Sequence, residues 1–68
     1  MDIEHVFKYH PPNPEQVVKY QVIRDYAKVF AHTILENVPE CADRTAALRK
    51  LRECVMTANA AIALDGRL

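Results

Sequence analysis

Hydrophobic positions in the last third of the chain recur at helical spacing. The segment 44–64, RTAALRKLRECVMTANAAIAL, contains neither proline nor glycine. Its apolar residues recur at steps of three and four, which places them on one stripe of a helix: Leu48, Leu51, Val55, Ala58 and Ile62. The end of this segment is rich in alanine around a single amide, Asn59, so another backbone can approach it closely. We therefore predict a helix at 43–64 that packs on more than one neighbour.

A second segment, 14–37, carries two apolar stripes instead of one. The first is a heptad-like seam of Tyr20, Ile23, Ala27, Phe30 and Ile34. The second, beside it, consists of Val18, Val22, Tyr26 and Val29. Asn13 suits a helix cap, Pro14 the first turn, and Gln16 the return partner of a capping box. Because one partner helix needs only one stripe, the second stripe predicts assembly with further copies.

The connection between the two predicted helices is short and contains Pro39, which cannot continue a helix. About five connecting residues make the helices antiparallel neighbours. The cap of the second helix comes from Cys41 or, with better capping chemistry, from Asp43. At the other end of the chain, Pro11 and Pro12 impose extended geometry on what precedes them. The N-terminal segment is therefore predicted to be an extended arm.

Together these patterns predict an all-α fold in a single domain that spans residues 1–68. The domain is an antiparallel two-helix hairpin with an extended N-terminal arm, and it assembles into a compact homo-oligomer. Its predicted parts are the arm 1–13, the helix 14–37, the turn 38–42, the helix 43–64 and a helix-ending tail at 65–68.

Chain length supports the prediction of an oligomer. A domain of 68 residues buries only about 60% of its unfolded surface, so it is marginal unless it is cross-linked or oligomeric. Cross-links are not expected, because Cys41 and Cys54 lie in or beside one predicted helix, where rigid geometry keeps them apart. Neither a CxxC nor an HxxxH spacing indicates a zinc site. This cysteine usage fits a reduced, cytosolic compartment.

Charge and hydropathy exclude some classes of partner. Nine basic and nine acidic side chains cancel, so the chain lacks the basic footprint of a duplex-DNA binder. A small anionic ligand needs only a few local cations and is not excluded. Because no apolar run approaches about 18 residues and the N-terminus lacks a signal-peptide core, we expect an intracellular protein with no membrane partner.

Catalytic chemistry is not indicated by any motif. The chain contains no serine, and its only glycine, Gly66, excludes a glycine-rich phosphate loop. Neither cysteine has an adjacent base, and a carboxylate pair such as Glu36 and Glu40 is available in any helix-rich chain. We therefore expect a binding protein, with no enzymatic activity, cofactor or metal site.

The arm offers two candidate ligand contacts, Tyr9 and His10. A flat ring is a suitable platform for a nucleobase, and these residues follow Phe7 in an alternation of aromatic and basic side chains. The alternative is an arm whose aromatic rings only pack on the helices. Both can hold at once, with Phe7 buried and Tyr9 facing a ligand.

The helices offer candidate anion contacts. Arg24 and Lys28 lie one turn apart, and they combine a guanidinium for bidentate phosphate contact with an ammonium point charge. Arg44 and Thr45 lie in the first turn of the second helix, where free backbone N–H groups and the helix dipole favour an anion. Asn59 is a candidate neutral hydrogen-bonding group, or it fixes the register of the alanine-rich seam. The alternative for Arg24 and Lys28 is an ordinary solvated face.

These motifs resemble a known family. Three stretches are similar to short phage proteins that carry the helical-hairpin domain shared by anti-CBASS and anti-Thoeris sponges. They are FKYHPPNPEQV at 7–17, Arg24 with Ala27-Lys28, and the pattern LxKLxExVMxANAAIA at 48–63, where x marks a position outside the resemblance. The resemblance covers nearly the whole chain. The sequence departs from the family pattern at Thr57, where relatives often carry tryptophan, and at Cys41, which replaces a serine cap.

The resemblance implies a function. Such proteins are not enzymes: they bind the cyclic nucleotides that bacterial immune systems make as alarm signals and sequester them without cleavage. Relatives form compact hexamers with ligand pockets between protomers, and they hold cyclic dinucleotides, cyclic trinucleotides or cyclic ADP-ribose-type molecules. We therefore expect a phage immune-evasion protein, a homohexamer that acts in the cytoplasm of the infected bacterial host.

The assignment of ligand-binding residues is based on the local chemistry of the side chains. The residues expected to bind the ligand are Tyr9, His10, Arg24, Lys28, Arg44, Thr45 and Asn59. An alternative function is a small helical interaction module that docks on a host protein through Tyr20, Tyr26 and Phe30. A DNA-binding hairpin is disfavoured by the neutral charge.

Overall fold

The computed structural model describes residues 1–67, so Leu68, the last residue of the predicted tail, lies outside the described residues. It contains three helices, α1 (Ile3–Val6), α2 (Pro14–Asn37) and α3 (Ala42–Ala63), and no strand within residues 1–67. The prediction of an all-α fold is therefore confirmed. Compared with the predicted helix at 43–64, α3 begins and ends one residue earlier.

The start of α2 is stabilised by a reciprocal capping box. The Asn13 side chain accepts a hydrogen bond from the Gln16 backbone N–H at 2.9 Å, and the Gln16 side-chain oxygen accepts one from the Asn13 N–H at 3.0 Å. Pro14 occupies the first turn, where its missing N–H costs nothing. Two of the unpaired donors at the helix start are thus satisfied, as the sequence predicts.

The N-cap residue of α3 differs from the one that the sequence analysis preferred. Cys41 is the N-cap residue and makes no side-chain cap hydrogen bond, while Asp43 lies inside the first turn of the helix. The preference for Asp43 as the cap is therefore wrong. A carboxylate in the first turn still interacts favourably with the helix dipole. The backbone N–H and the hydroxyl of Thr45 both donate to the Cys41 carbonyl, at 3.3 and 3.4 Å.

The end of α3 is a Schellman-type stop. The Gly66 N–H donates to the Ala61 carbonyl at 2.9 Å, and the Asp65 N–H donates to the Ile62 carbonyl at 3.2 Å. Asp65 and Gly66 have positive φ angles of 53° and 74°. Glycine adopts this left-handed conformation without steric cost, and aspartate tolerates it better than most residues.

The arm is not extended along its whole length, contrary to the prediction. Asp2 accepts a hydrogen bond from the His5 N–H at 3.2 Å and so caps the single turn of α1. The His5 ring Nε2 then contacts the Leu64 carbonyl at 3.3 Å, and the His10 Nε2 contacts the His5 carbonyl at 2.6 Å. Because a carbonyl oxygen only accepts, both ring nitrogens act as donors. These contacts fold the arm back onto the end of α3.

The two long helices form an antiparallel hairpin whose register is fixed at the open end. The Gln16 side-chain amide donates to the Ile62 carbonyl at 3.0 Å, which joins the start of α2 to the end of α3. The inward side of α2 consists of half-buried residues: Tyr20, Ile23, Ala27, Ala31 and Ile34. Phe30, which the sequence predicts in this seam, is 55% exposed. At 3.6 residues per turn, Ala31 lies nearer the centre of the inward side than Phe30 does.

The hairpin by itself encloses almost no core. Within residues 1–67, Leu64 is the only buried hydrophobic side chain, at 6% exposure. The accessible surface is 5640 Å², whereas a compact monomer of this mass exposes about 4,400 Å². The radius of gyration is 14.7 Å, against about 11 Å for a compact domain of this length. None of the described helices is long and apolar enough to cross a membrane.

Candidate ligand-binding site

A groove of about 330 Å³ lies between one flank of α2 and one flank of α3. Its floor is apolar, and the charged residues that line it are all cationic. The lining residues are Arg24, Ala27, Lys28, Ala31, Leu48, Leu51, Arg52, Val55 and Met56. An apolar floor with a cationic rim suits a ligand that combines flat or apolar rings with phosphate groups.

The position of the groove follows from the sequence of each helix. On α2, Ala27 and Ala31 are small, half-buried and part of the groove lining, so their side chains leave space between the flanks of the two helices. Arg24 and Lys28 lie one turn apart on the flank beside these alanines. The two cations therefore lie on one surface of α2, as their spacing predicts.

Arg52 was not among the residues that the sequence predicts in the site. It lies one turn before Met56 on the flank of α3 that faces Lys28 and Arg24 across the groove. In the sequence, Arg52 is a basic residue next to the apolar stripe that contains Leu48 and Val55, which could have marked it as a candidate anion contact. Arg49 and Lys50 are also basic residues next to that stripe. Only the register between the helices distinguishes Arg52 from its basic neighbours.

The Arg24 guanidinium is positioned by a short side-chain relay on α2. Arg24 Nη1 donates to the Gln21 side-chain oxygen at 3.1 Å, and the Gln21 amide nitrogen donates to an Asp25 carboxylate oxygen at 2.8 Å. The neutral amide therefore stands between Arg24 and Asp25. This contact uses one of the five N–H donors of the guanidinium. Gln21 is a further residue that sequence reasoning missed.

The remaining predicted residues lie at the two ends of the hairpin. Tyr9 is 80% exposed on the arm, and His10 is bonded to the His5 carbonyl, with the two histidine rings edge-on at 4.7 Å. Arg44 and Thr45 lie in the first turn of α3, beside the connection to α2. A helix of 22 residues is about 33 Å long. The arm and the Arg44 end therefore cannot contact one small ligand within a single chain.

Asn59 has an unpaired polar atom. Its side-chain oxygen is buried and has no hydrogen-bond partner within the described part of the chain. Helical spacing of three and seven residues places Asn59 on the same flank of α3 as Met56 and Arg52, further toward the open end. An unsatisfied buried oxygen costs about 1–3 kcal/mol, so a donor from outside the chain would be favourable there.

A second depression lies at the open end of the hairpin. It measures about 510 Å³, and its lining includes Glu15, Gln16, Lys19, Asp65 and Gly66. Two carboxylates oppose one ammonium there, so the groove between α2 and α3 is the better anion site despite its smaller volume. Among residues 1–67, no cluster of histidine, cysteine or carboxylate side chains could hold a metal ion.

Comparison with known proteins identifies the family of the chain. The family described as "Acb2/Tad1, hairpin domain" matches residues 1–63. No curated protein and no solved structure matches the chain. The match covers the arm and both long helices, including all three cations of the groove. The chain therefore belongs to the Acb2/Tad1 hairpin-domain family, the family of anti-CBASS and anti-Thoeris sponge proteins.

Proposed function

We propose that this protein binds cyclic-nucleotide signals of bacterial anti-phage defence and sequesters them without cleavage. The observation that carries the proposal is the groove between α2 and α3, where Arg24, Lys28 and Arg52 surround an apolar floor. Membership of a sponge family supports the same function. The proposed site of action is the cytoplasm of the infected bacterial host, where such signals are made.

In this proposal the rim of the groove holds the phosphates of the ligand. Arg24 and Arg52 provide planar guanidinium groups for paired hydrogen bonds, and Lys28 provides a point charge. The polarizable thioether of Met56 and the aliphatic floor contact the ring systems. None of the lining residues carries a carboxylate, imidazole, hydroxyl or thiol group, which fits capture of the ligand without hydrolysis.

The proposed binding unit is an assembly, because one chain supplies only part of a pocket. The groove volume of about 330 Å³ is at the lower end of the range for ligand sites. Tyr9 is exposed on the arm, far from the Arg44 end of the same chain. We propose a compact homohexamer in which Tyr9, His10, Arg44, Thr45 and Asn59 of neighbouring copies complete the sites.

Calorimetric titration with a panel of cyclic dinucleotides, cyclic trinucleotides and cyclic ADP-ribose isomers tests the proposal. We expect tight binding of at least one compound, and its recovery intact after heat denaturation of the complex. Binding should weaken in Arg24→Ala and persist in Lys50→Ala, which removes a charge from an exposed position outside the groove. Absence of binding across the panel, or recovery of a cleaved product, would contradict the proposal.

A second candidate function is docking on a host protein. The observation that favours it is the exposure of Tyr26 and Phe30, at 75% and 55%, whereas Tyr20 is half-buried in the hairpin. If Arg24→Ala and Arg44→Ala leave the activity intact while substitutions at Tyr26 and Phe30 abolish it, the interaction module is the better description.

A further inference from the structure

His5 joins two parts of the arm to the end of α3 through its own polar groups. Its backbone N–H donates to the Asp2 carboxylate at 3.2 Å, and its ring Nε2 donates to the Leu64 carbonyl at 3.3 Å. Its backbone carbonyl accepts a hydrogen bond from the His10 Nε2 at 2.6 Å, and the two rings lie edge-on with centroids 4.7 Å apart. We propose that these two residues, called here the histidine clasp, position Tyr9 for the ligand.

The histidine clasp closes a short loop that carries Tyr9. The bond from the His10 ring to the His5 carbonyl encloses residues 6–9, and both histidines are half-buried. The bond from the His5 ring to the Leu64 carbonyl attaches this loop to the end of α3. Tyr9 itself is 80% exposed, so the position of its ring follows the position of its backbone. Tyr9 is therefore placed by contacts that its own side chain does not make.

The other end of the loop is held by the connection to α2. Only residues 11–13 separate His10 from the first residue of α2. Pro11 and Pro12 each fix their own φ angle, and Asn13 belongs to the capping box of α2. The loop is thus attached to α3 on one side and to α2 on the other.

Preorganisation of the loop is what the histidine clasp contributes to binding. Ordering a flexible loop costs conformational entropy, and this cost lowers affinity when the loop becomes ordered only on binding. A loop that is already held presents the Tyr9 ring to a nucleobase without that cost. The inference rests on the proposed function. It gives His10 a positioning role that acts through Tyr9, and it adds His5, which sequence reasoning did not select.

The direction of the hydrogen bond specifies which substitution of His10 is conservative. Because a carbonyl oxygen only accepts, the His10 Nε2 carries a proton. Glutamine also carries an N–H donor near the end of its side chain, whereas methionine is of similar length and has no donor. His10→Gln should therefore keep the histidine clasp, and His10→Met should open it.

The first test measures hydrogen exchange in the ligand-free protein. The backbone N–H groups of Val6 and Phe7 make hydrogen bonds of 3.0 and 3.1 Å in the turn of α1, beside the histidine clasp. These amides should exchange faster in His10→Met than in the parent protein, and His10→Gln should restore slow exchange. Equal exchange in all three proteins would overturn the proposal.

The second test titrates cyclic dinucleotides, cyclic trinucleotides and cyclic ADP-ribose isomers by calorimetry. For a compound that binds the parent protein, His10→Met should lower affinity about threefold to tenfold, the effect of one hydrogen bond, and His10→Gln should restore most of it. In a Tyr9→Ala background, neither substitution should lower affinity further, because the histidine clasp acts through Tyr9. Additive losses would mean that His10 contacts the ligand directly, contrary to the proposal.

Native mass spectrometry of the same variants separates the remaining outcomes. Both His10 variants should keep the parent mass, whereas weaker binding by a smaller species would assign the histidine clasp to assembly and reject the positioning role. If the parent protein binds none of the compounds, the proposed function fails and the positioning role fails with it. If the parent protein binds and His10→Met has unchanged affinity, only the positioning role is rejected.

Discussion

The side-chain amide of Gln16 donates a hydrogen bond of 3.0 Å to the backbone carbonyl of Ile62. The same side chain accepts the Asn13 N–H through its oxygen. One residue therefore caps the start of α2 and joins it to the last turn of α3. Because the groove requires α2 residues to face particular α3 residues, this contact helps to hold the register on which the site depends.

Gln16→Glu separates these two roles. Glutamate keeps an oxygen for the Asn13 N–H but, when ionised, cannot donate to the Ile62 carbonyl. We expect a decrease of about 1 kcal/mol in the free energy of unfolding, since one hydrogen bond is lost and a carbonyl oxygen loses its donor. The measurement is denaturant unfolding at a fixed protein concentration. Glu15→Gln, at an exposed neighbouring position, is the control and should change stability by less. Equal stability of Gln16→Glu and the parent protein would show that the contact does not stabilise the hairpin.

Arg52→Ala should weaken nucleotide binding about as much as Arg24→Ala. Each guanidinium provides charge-assisted hydrogen bonds worth about 1.5–3 kcal/mol, which corresponds to a loss of roughly 10- to 150-fold in affinity. The measurement is calorimetric titration with whichever cyclic nucleotide binds the parent protein. Lys50→Ala controls for the loss of one positive charge. If Arg52→Ala and Lys50→Ala have equal effects, Arg52 acts only through general charge and does not contact the ligand.

Gln21 is predicted to act through Arg24. Gln21→Ala removes the 3.1 Å acceptor that orients the guanidinium, so we expect an affinity loss smaller than that of Arg24→Ala. The double variant should bind no more weakly than Arg24→Ala alone, because the relay has no role once the guanidinium is absent. A double-mutant cycle by calorimetry measures this coupling. Strict additivity of the two losses would mean that Gln21 contributes independently of Arg24.

Asn59→Leu should affect stability and binding in opposite directions. The buried Asn59 oxygen has no partner within the described part of the chain, so an apolar side chain of similar size removes a cost of about 1–3 kcal/mol in the hairpin. If the oxygen is satisfied by ligand or by a neighbouring copy, the same substitution lowers affinity or reduces assembly. Thermal unfolding, native mass spectrometry and calorimetry measure the three quantities. A variant with lower stability and unchanged binding and assembly would contradict a role of Asn59 in the site.

Local sequence determined most of the secondary structure of this protein. The capping box at Asn13 and Gln16 and the break at Pro39 depend on residues within one turn of each other, so their chemistry can be read from neighbouring positions. The second apolar stripe of α2, which the structure leaves exposed, could also be read from the sequence. Two apolar stripes on one helix are a property of that helix alone, and one partner helix covers only one of them. Sequence likewise placed Arg24 and Lys28 on one surface, since residues four apart are neighbours on any helix.

Tertiary structure decided the features that depend on contacts between distant residues. The alignment of α2 and α3 determines that Ala31 faces inward while Phe30 is exposed. The same alignment places Arg52 in the groove. The arm folds back because the His5 ring contacts the Leu64 carbonyl, which is distant along the chain. Periodicity specifies which residues share a face of one helix, but not which residue of another helix lies opposite. That information exists only once the hairpin closes.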